Sequence, residues 1–324
     1  MLECSDFKKK QIIFMFTCRG ERISFKNDNI VITDKEGKVK YQVTCYLIFA
    51  LYVVGETSIT TGLIRRAKKF GFVICLMTQS FKLYSIIGNR MEGNTILHRK
   101  QYYYDGDDIA AFLVLNKITN QRFVLNQVRS KTPGVKDAIV KLDSYIEEIR
   151  TTEYNNQTLL GIEGSAARVY FTQVFNNTAW KGRKPRIKFD YVNSTLDIGY
   201  NLLFNLVDSL LQVYGFDVYC GVYHKEFYMR KSLACDLMEP IRPVIDREVR
   251  KAINLKQCKV DDFQIFQGQY CLEYKKSSEY VSFFMKALLE YKEEIFYYVQ
   301  QYYRSFMKEK NGAEFRRFRM EAGE

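Results

Sequence analysis

The sequence predicts an α+β protein: a small N-terminal β-rich domain with one embedded helix, followed by a larger all-helical C-terminal domain. Three observations carry this reading. Apolar residues recur at strand spacing over roughly the first ninety positions. A polar stretch with two glycines, EGNTILHRKQYYYDGDD, interrupts them. Beyond it, apolar residues recur at helical spacing almost to the C-terminus. The expected boundaries are residues 1–91 for the β-rich domain, 92–108 for a linker, and 109–324 for the helical domain with a basic tail.

Each element has its own signal. VKYQV, Val39 to Val43, alternates apolar and polar residues, and ISF and IVIT before it are set off by KND and DKEG, which are hairpin signals. YLIFALYVVG reads as a buried strand that stops at Gly55. SITTGLIRRAKKFG reads as the embedded helix, with Ser58 as its cap and Lys68 and Lys69 in the last turn before Gly71. FVICLM and FKLYSIIG continue the strands. After the linker, IAAFLVLNKITNQRFVLNQV and VKDAIVKLDSYIEEIR are helical in spacing. LDIGYNLLFNLVDSLLQVYG is apolar on most faces, which predicts a central buried helix ended by Gly215. SEYVSFFMKALLEYKEEIFYYVQQYYRSFMKEK reads as one long aromatic-rich helix.

Composition narrows the function. A chain of 324 residues with 47% hydrophobic content can bury a substantial core. The longest apolar run, about Cys45 to Gly55, is too short to span a membrane, and MLECSDFKKK lacks the apolar core of a signal peptide, so a cytoplasmic location is expected. Eight cysteines without CxxC spacing predict reduced, buried thiols. The net charge of +12 points to a polyanionic partner, nucleic acid before a membrane surface. Charge is concentrated in KGRKPRIK, with Lys181, Arg183, Lys184, Arg186 and Lys188, and in the tail from Arg304 to Arg319. Aromatics interleave with charge in both, which suits phosphate contact with base stacking and equally suits ordinary core packing.

Several chemistries find no support. No glycine-rich phosphate loop ending in Lys-Ser/Thr, no GxGxxG after a strand and no GxSxG elbow occurs. The candidates that remain centre on one of two histidines. His98 lies in the linker beside Arg99 and Lys100 and reads as a surface or DNA-contacting residue. His224 is followed at Asp236 and Glu239 by two acids, spaced i, i+3. On a helix that spacing puts both carboxylates on one face, about 5–6 Å apart, where they repel unless a cation lies between. One imidazole with two carboxylates suits Mg²⁺ or Mn²⁺, the imidazole favouring Mn²⁺; the same residues also suit plain surface polarity. A third acid, Glu163, stands among small residues in LLGIEGSAARVYF, either as a ligand or as a helix N-terminal Glu favoured by the dipole.

GIEGSAARVYF, DIGYNLL, GVYH and SLACDLMEPIRP, in this order, resemble the CRISPR-associated adaptation integrase, the Cas-one family, and SITTGLIRRAKKFGFVICLM is similar to that family's N-terminal strand–helix–strand segment. The resemblance extends over essentially the whole chain. It implies a dimer-forming β-rich domain and a helical catalytic domain. It implies that Glu163, His224 and Glu239 hold a divalent metal, Mn²⁺ or Mg²⁺, with Asp236 beside them as a second catalytic acid, either supporting base or ligand. Arg242 matches the Arg of the Arg-Pro element, and Asn193 and Tyr200 match polar positions of the central segment. The His-to-Asp separation of twelve is slightly longer than is common in the family, so KEFYMRK forms a somewhat different loop.

The implied activity is that of an integrase and endonuclease of CRISPR adaptation, an antiviral defence. The 3′-hydroxyl of a new double-stranded spacer fragment attacks a phosphodiester of the repeat array. The implied partners are DNA, a second copy of the chain in a homodimer, and the small Cas-two protein. Lys181, Arg183, Lys184, Arg186, Lys225, Arg230, Lys231 and Arg242 are the expected DNA contacts. Two other readings stand beside this one: a mobile-element transposase of the same family, and a non-catalytic DNA-binding scaffold.

Overall fold

The computed structural model describes residues 3–323 except positions 90, 152, 177, 179, 181, 186, 226 and 227, and leaves out the side chains of Cys18 and Ala322. The chain forms two compact units. The first comprises Met1–Thr95 with Asp208–Phe216, and the second Ile96–Val207 with Asp217–Glu324.

In the first unit a short helix α1 (Cys4–Lys9) precedes β1 (Gln11–Phe16), β2 (Arg22–Lys26), β3 (Asn29–Thr33), β4 (Val39–Thr44), β5 (Ile48–Val54), α2 (Thr61–Phe70), β6 (Val73–Met77) and β7 (Leu83–Gly88). Among the described residues of the N-terminal ninety, a short helix α1, with Phe7 buried, is present in addition to the α2 that the sequence pattern predicts. The strands form a four-stranded sheet in the order β1-β5-β6-β7 and a three-stranded antiparallel sheet β2-β3-β4. Strand β5 is flanked in parallel by β1 and β6, and all seven of its residues are buried. That explains its unbroken apolar run: a strand covered on both faces has no need of alternation. Ile13, Met15, Ile32, Leu51, Leu63 and Phe72 belong to the shared core. Helix α2 begins later than the sequence suggests. Thr60, rather than Ser58, is its cap, with Thr60 Oγ1 accepting from the Leu63 N–H.

The second unit holds α3 (Thr95–Tyr103), α4 (Asp108–Asn126), α5 (Pro133–Thr151), α6 (Asn156–Val174), α7 (Tyr191–Tyr214), α8 (Ser232–Met238), α9 (Arg242–Asn254), β8 (Phe263–Phe266), β9 (Gln269–Leu272), α10 (Ser277–Glu290) and α11 (Lys292–Met307). The end of α7, from Asp208, falls within the first unit, where Ser209 Oγ lies 3.4 Å from Cys75 Sγ. Among the described residues no helix is long and apolar enough to cross a membrane.

Three expectations are corrected here. The segment 92–108 contains α3, anchored because Gln101 donates to the Asp217 carbonyl and accepts from the Asp217 N–H, both at 2.9 Å. The C-terminal region is not all helical. FQIF and QYCL form the hairpin β8–β9, turned by Gln267 and Gly268 with φ of 49° and 75°, the left-handed pair that a two-residue hairpin needs. The long aromatic helix is two helices, broken at the buried Tyr291, whose hydroxyl accepts from Arg247 Nη2 at 2.8 Å.

The basic tail packs its apolar side chains into the core. Phe315, Phe318 and Met320 are buried, and Asn116 of α4 brackets the Phe318 backbone, donating to its carbonyl at 2.8 Å and accepting from its N–H at 2.9 Å. Arg316 pairs with Glu294 at 2.7 Å. Gly199 of the DIGYNLL segment marks the tightest packing of α7: a Cβ there would stand 2.5 Å from Ile245 Cγ2 and 2.6 Å from the Phe284 ring. Gly199→Ala is therefore expected to destabilise the protein by about 1–3 kcal/mol through overpacking, despite alanine's better helix propensity, as read by urea unfolding.

Candidate functional site

Four short segments of the second unit supply the site. Helix α6 starts at a reciprocal cap in which the Thr158 N–H donates to Asn155 Oδ1 and the Asn155 N–H donates to Thr158 Oγ1, both at 2.9 Å. Glu163 lies two turns further on, too deep in the helix for the N-terminal dipole to account for it. His224 sits in the loop between α7 and α8. Asp236 lies on α8, and Glu239 opens the 3₁₀ turn Glu239–Ile241 that leads into α9.

Asp236 is fully buried and its carboxylate is saturated. Oδ2 accepts the N–H groups of Val222 and Tyr223 at 2.8 and 2.9 Å, and Oδ1 accepts the His224 N–H at 3.1 Å. The His224 ring adds Nδ1 at 2.6 Å from Oδ1. A carboxylate that already accepts three backbone donors accepts a fourth hydrogen bond from the ring, so Nδ1 carries the hydrogen as donor and Nε2 presents a lone pair. Asp236 thus holds the GVYH loop and sets the imidazole tautomer, and it has no oxygen left over for direct ligation. Gly221 makes this fit possible, since a Cβ there would meet Ser232 Cβ at 2.6 Å and the His224 carbonyl at 2.7 Å.

Asp236 and Glu239 do not share one environment, in contrast to the spacing argument. Glu239 turns to α4, where the buried Lys117 ammonium bridges the two other acids: it pairs with Glu163 Oε1 and stands 2.6 Å from Glu239 Oε2. The remaining oxygens are also engaged. Tyr223 donates to Glu163 Oε2 at 2.5 Å, and Arg242 Nη2 pairs with Glu239 Oε1 at 3.0 Å. Asn120 of α4 donates to the Pro240 carbonyl at 2.8 Å, fixing the turn that carries Glu239. Burial pushes the Glu163 carboxyl up, but the Lys117 charge and the hydrogen bonds from Lys117 and Tyr223 more than reverse this and hold it at about 2. Burial likewise disfavours the Lys117 ammonium, and the two carboxylates outweigh it, so Lys117 stays protonated above its usual range. Burial and the neighbouring Glu163 push Tyr223 well above the usual phenol value, which keeps it a donor.

The donor set, two carboxylates and one imidazole with a free Nε2, fits a divalent cation. Its assembly is incomplete: among the described residues no three His, Cys, Asp or Glu side chains are gathered closely enough to hold a metal ion as they stand. The cation between Glu163 and Glu239 is Lys117.

Beside these acids a cleft of about 810 Å³ runs along α6. Lys117, Arg168, Arg183 and Arg242 line it with positive charge, and Phe171 and Trp180 line it with aromatic surface. Gly164 and Ala167, two of the small residues of GIEGSAARVYF, open α6 onto it. Arg183 is placed by Asn193 and Asp197, donating to Asn193 Oδ1 at 3.0 Å and to Asp197 Oδ1 at 2.5 Å. Both Arg183 and Arg242 lie over the Tyr200 ring, at 5.2 and 4.8 Å. The Tyr200 hydroxyl donates to the buried Asp246. Asn193 and Tyr200 therefore organise the arginines of the cleft.

The other predicted DNA contacts are dispersed. Lys184 is exposed over the Phe189 ring. Lys225 pairs with Asp105 and Asp107 at 3.4 and 3.3 Å, so acidic neighbours offset part of its charge. Arg230 and Lys231 are half-buried at the start of α8, and Lys181 and Arg186 lie outside the described residues. His98 lies on α3, its ring 6.3 Å from that of Tyr102. Sequence reasoning missed Lys117, Tyr223, Arg168 and Asp246. The signal for Lys117 was present: NKITNQ sets Asn116, Lys117, Asn120 and Gln121 within a largely apolar helix, and all four are buried.

The family described as CRISPR associated protein Cas1 matches residues 14–286, and the chain belongs to that family. It is 30% identical over 272 residues to a CRISPR-associated endonuclease Cas1 of Rhodospirillum rubrum, covering 78% of each chain. It is also 30% identical to one of Chlorobaculum tepidum, covering 79% of this chain and 80% of that one. Among solved structures, a CAS1 protein from Thermotoga maritima shares the fold with a TM-score of 0.76 at 18% identity, over 92% of this chain and 97% of that chain. A casposase bound to integration product shares it with a TM-score of 0.73 at 16% identity, over 94% and 93% of the two chains. A Cas6-RT-Cas1–Cas2 complex does so at 0.77 and 20%, over 96% of this chain and 36% of that chain.

Asp246 gives the site a measurable pH signature. Burial pushes its carboxyl up from 3.8 to about 6, against the lowering effect of the Tyr200 hydroxyl, Lys117 and Arg242. The folded protein then holds this proton more tightly than the unfolded chain does. Stability from this group is full below about pH 4 and lost as pH rises towards 6, by about 3 kcal/mol. Asp246→Asn is uncharged throughout and keeps an acceptor for Tyr200. Its stability relative to wild type should rise by about that amount between pH 4 and pH 7 in urea titrations, and a pH-independent difference would contradict the assignment.

Proposed function

We propose that the protein is a divalent-metal-dependent DNA integrase of CRISPR adaptation that joins the 3′-hydroxyl of a new spacer fragment to the repeat array by transesterification. The observation that carries this reading is the pair Glu163 and Glu239, bridged by Lys117 beside a cleft lined by arginines and aromatics, with the Asp236-oriented His224 ring 4.7 Å from that of Tyr223, which donates to Glu163. Glu163, Glu239 and His224 Nε2 would hold the metal, Mg²⁺ or Mn²⁺. When bound, the metal supplies Lewis-acid activation of the attacking hydroxyl and charge neutralisation at the phosphodiester.

The chain's own residues do the rest. Asp236 holds the proton on Nδ1, so His224 presents Nε2 in a fixed orientation. It acts as a positioning residue. Tyr223 fixes the rotamer of Glu163, and Arg242 that of Glu239. Arg168, Arg183 and Arg242 suit the phosphates of a strand lying in the cleft, and Phe171 and Trp180 offer faces on which bases stack. Transfer between phosphodiesters requires no protein nucleophile.

The matched relatives are named CRISPR-associated endonucleases, and one solved structure of the same fold is a complex that includes Cas2. These support spacer integration, with DNA and a Cas2-type protein as partners; the reading adds a second copy of the chain. The casposase likeness rests on fold at 16% identity, so the transposase reading comes second.

Strand transfer of a labelled duplex into a repeat-containing plasmid, with Mn²⁺ present, tests the proposal. Glu163→Ala, His224→Ala and Glu239→Ala should each lower joining by at least about a hundredfold while duplex binding is largely kept. Wild-type joining by all three would refute the metal assignment. Duplex affinity should fall steeply between 50 and 200 mM salt, by roughly tenfold or more, as phosphate contacts require.

A further inference from the structure

The position between Glu163 and Glu239 is filled by a lysine, and that lysine also lines the cleft. We propose that Lys117 is an exchangeable counter-ion: it occupies the place between the two carboxylates until a divalent cation enters, and then turns into the cleft to hold a DNA phosphate. This rests on the metal-site reading of Glu163, His224 and Glu239.

The argument is one of charge and reach. Glu163 and Glu239 are largely buried, and two carboxylates sharing such a site need a cation beside them. Lys117 supplies it from α4, a helix that carries neither acid, so it brings a charge to the site without using a ligand position. With Arg242 on the far oxygen of Glu239, two positive groups balance two negative ones. All four carboxylate oxygens are then occupied by Lys117, Tyr223 and Arg242, which is why no ready-made metal cage exists among the described residues.

A divalent cation added to this balanced set leaves two positive charges in excess in a poorly solvated place. Two outcomes relieve that excess. The ammonium withdraws from the acids, and an anion arrives. The cleft permits both at once, because Lys117 borders it together with Arg168, Arg183 and Arg242. Its stem is flexible and its charge is a compact point, whereas a guanidinium at this position would be held by its planar fork. Metal and DNA are then linked: loading the metal frees a cation for the phosphate, and by reciprocity the phosphate favours the loaded state.

The test uses the full-length protein and Mn²⁺, with three readouts. Mn²⁺ binding is measured by calorimetry without DNA. Lys117→Met should bind Mn²⁺ at least about tenfold more tightly than wild type, because the competing cation is gone. Equal or weaker binding would overturn the counter-ion role. Glu163→Gln serves as the control for the underlying reading. If it leaves wild-type Mn²⁺ binding intact, the metal-site assignment fails and the Lys117 proposal with it. If it abolishes binding while Lys117→Met shows no gain, only the Lys117 proposal falls. In the second readout, duplex affinity by fluorescence anisotropy should tighten with Mn²⁺ by about tenfold in wild type and change little in Lys117→Met; the same tightening in both would refute the linkage. Should Lys117→Met not fold, a crystal structure of the wild type with Mn²⁺ decides. Lys117 Nζ should then lie beyond hydrogen-bond reach of at least one of Glu163 and Glu239. A lysine still bridging both acids beside bound Mn²⁺ would sink the proposal.

Discussion

The bridge from Lys117 to Glu163 and Glu239 is the interaction on which the rest of the second unit depends. It joins three elements far apart in sequence, α4, α6 and the turn before α9, through groups that are almost removed from water. A buried ion pair of this kind is a poor source of net stability, because desolvation offsets most of the Coulomb gain. Its value is geometric. Any arrangement in which one of the three elements is displaced leaves an unpaired buried charge, which costs several kcal/mol. The bridge therefore fixes the positions of the two acids relative to one another.

Around that bridge the same economy recurs. Asp236 satisfies three backbone donors of the GVYH loop and the imidazole at once. Asn116 and Asn120, on the same helix as Lys117, pin the C-terminal segment and the Pro240 carbonyl. Helix α4 thus reads as a polar spine inside an apolar helix. Its buried side chains set the position of the turn carrying Glu239 and the packing of the tail together. The tail's aromatics, Phe315 and Phe318, close over α4 and α11, while its basic residues stay exposed or half-buried.

The cleft is organised from a second centre, the Tyr200 ring. Two guanidiniums lie over it, one anchored through Asn193 and Asp197 and the other through Glu239. Cations held over an aromatic face keep their charge while losing little entropy on meeting a phosphate. Arg242 belongs to both centres, so the acids and the arrangement of the cleft are coupled through this side chain as well as through Lys117.

The sequence by itself determined the division into a β-rich and a helical part, because strand and helix periods are local properties of the chain. It also determined the residue types of the site: GIEGSAARVYF, GVYH and SLACDLMEP carry their acids and imidazole in segments whose composition sets them apart. Some misses were also local: the QG turn of β8–β9 and the NKITNQ stripe were present but overridden by the stronger helical texture around them. What only the tertiary structure decided was which acid meets which cation. Spacing placed Asp236 and Glu239 on one face, but α8 ends at Met238 and the following 3₁₀ turn sends Glu239 to Lys117 while Asp236 is consumed by the loop before it. That choice depends on Lys117, 122 residues away from Glu239, and no period or motif in the chain encodes so distant a pairing of charges.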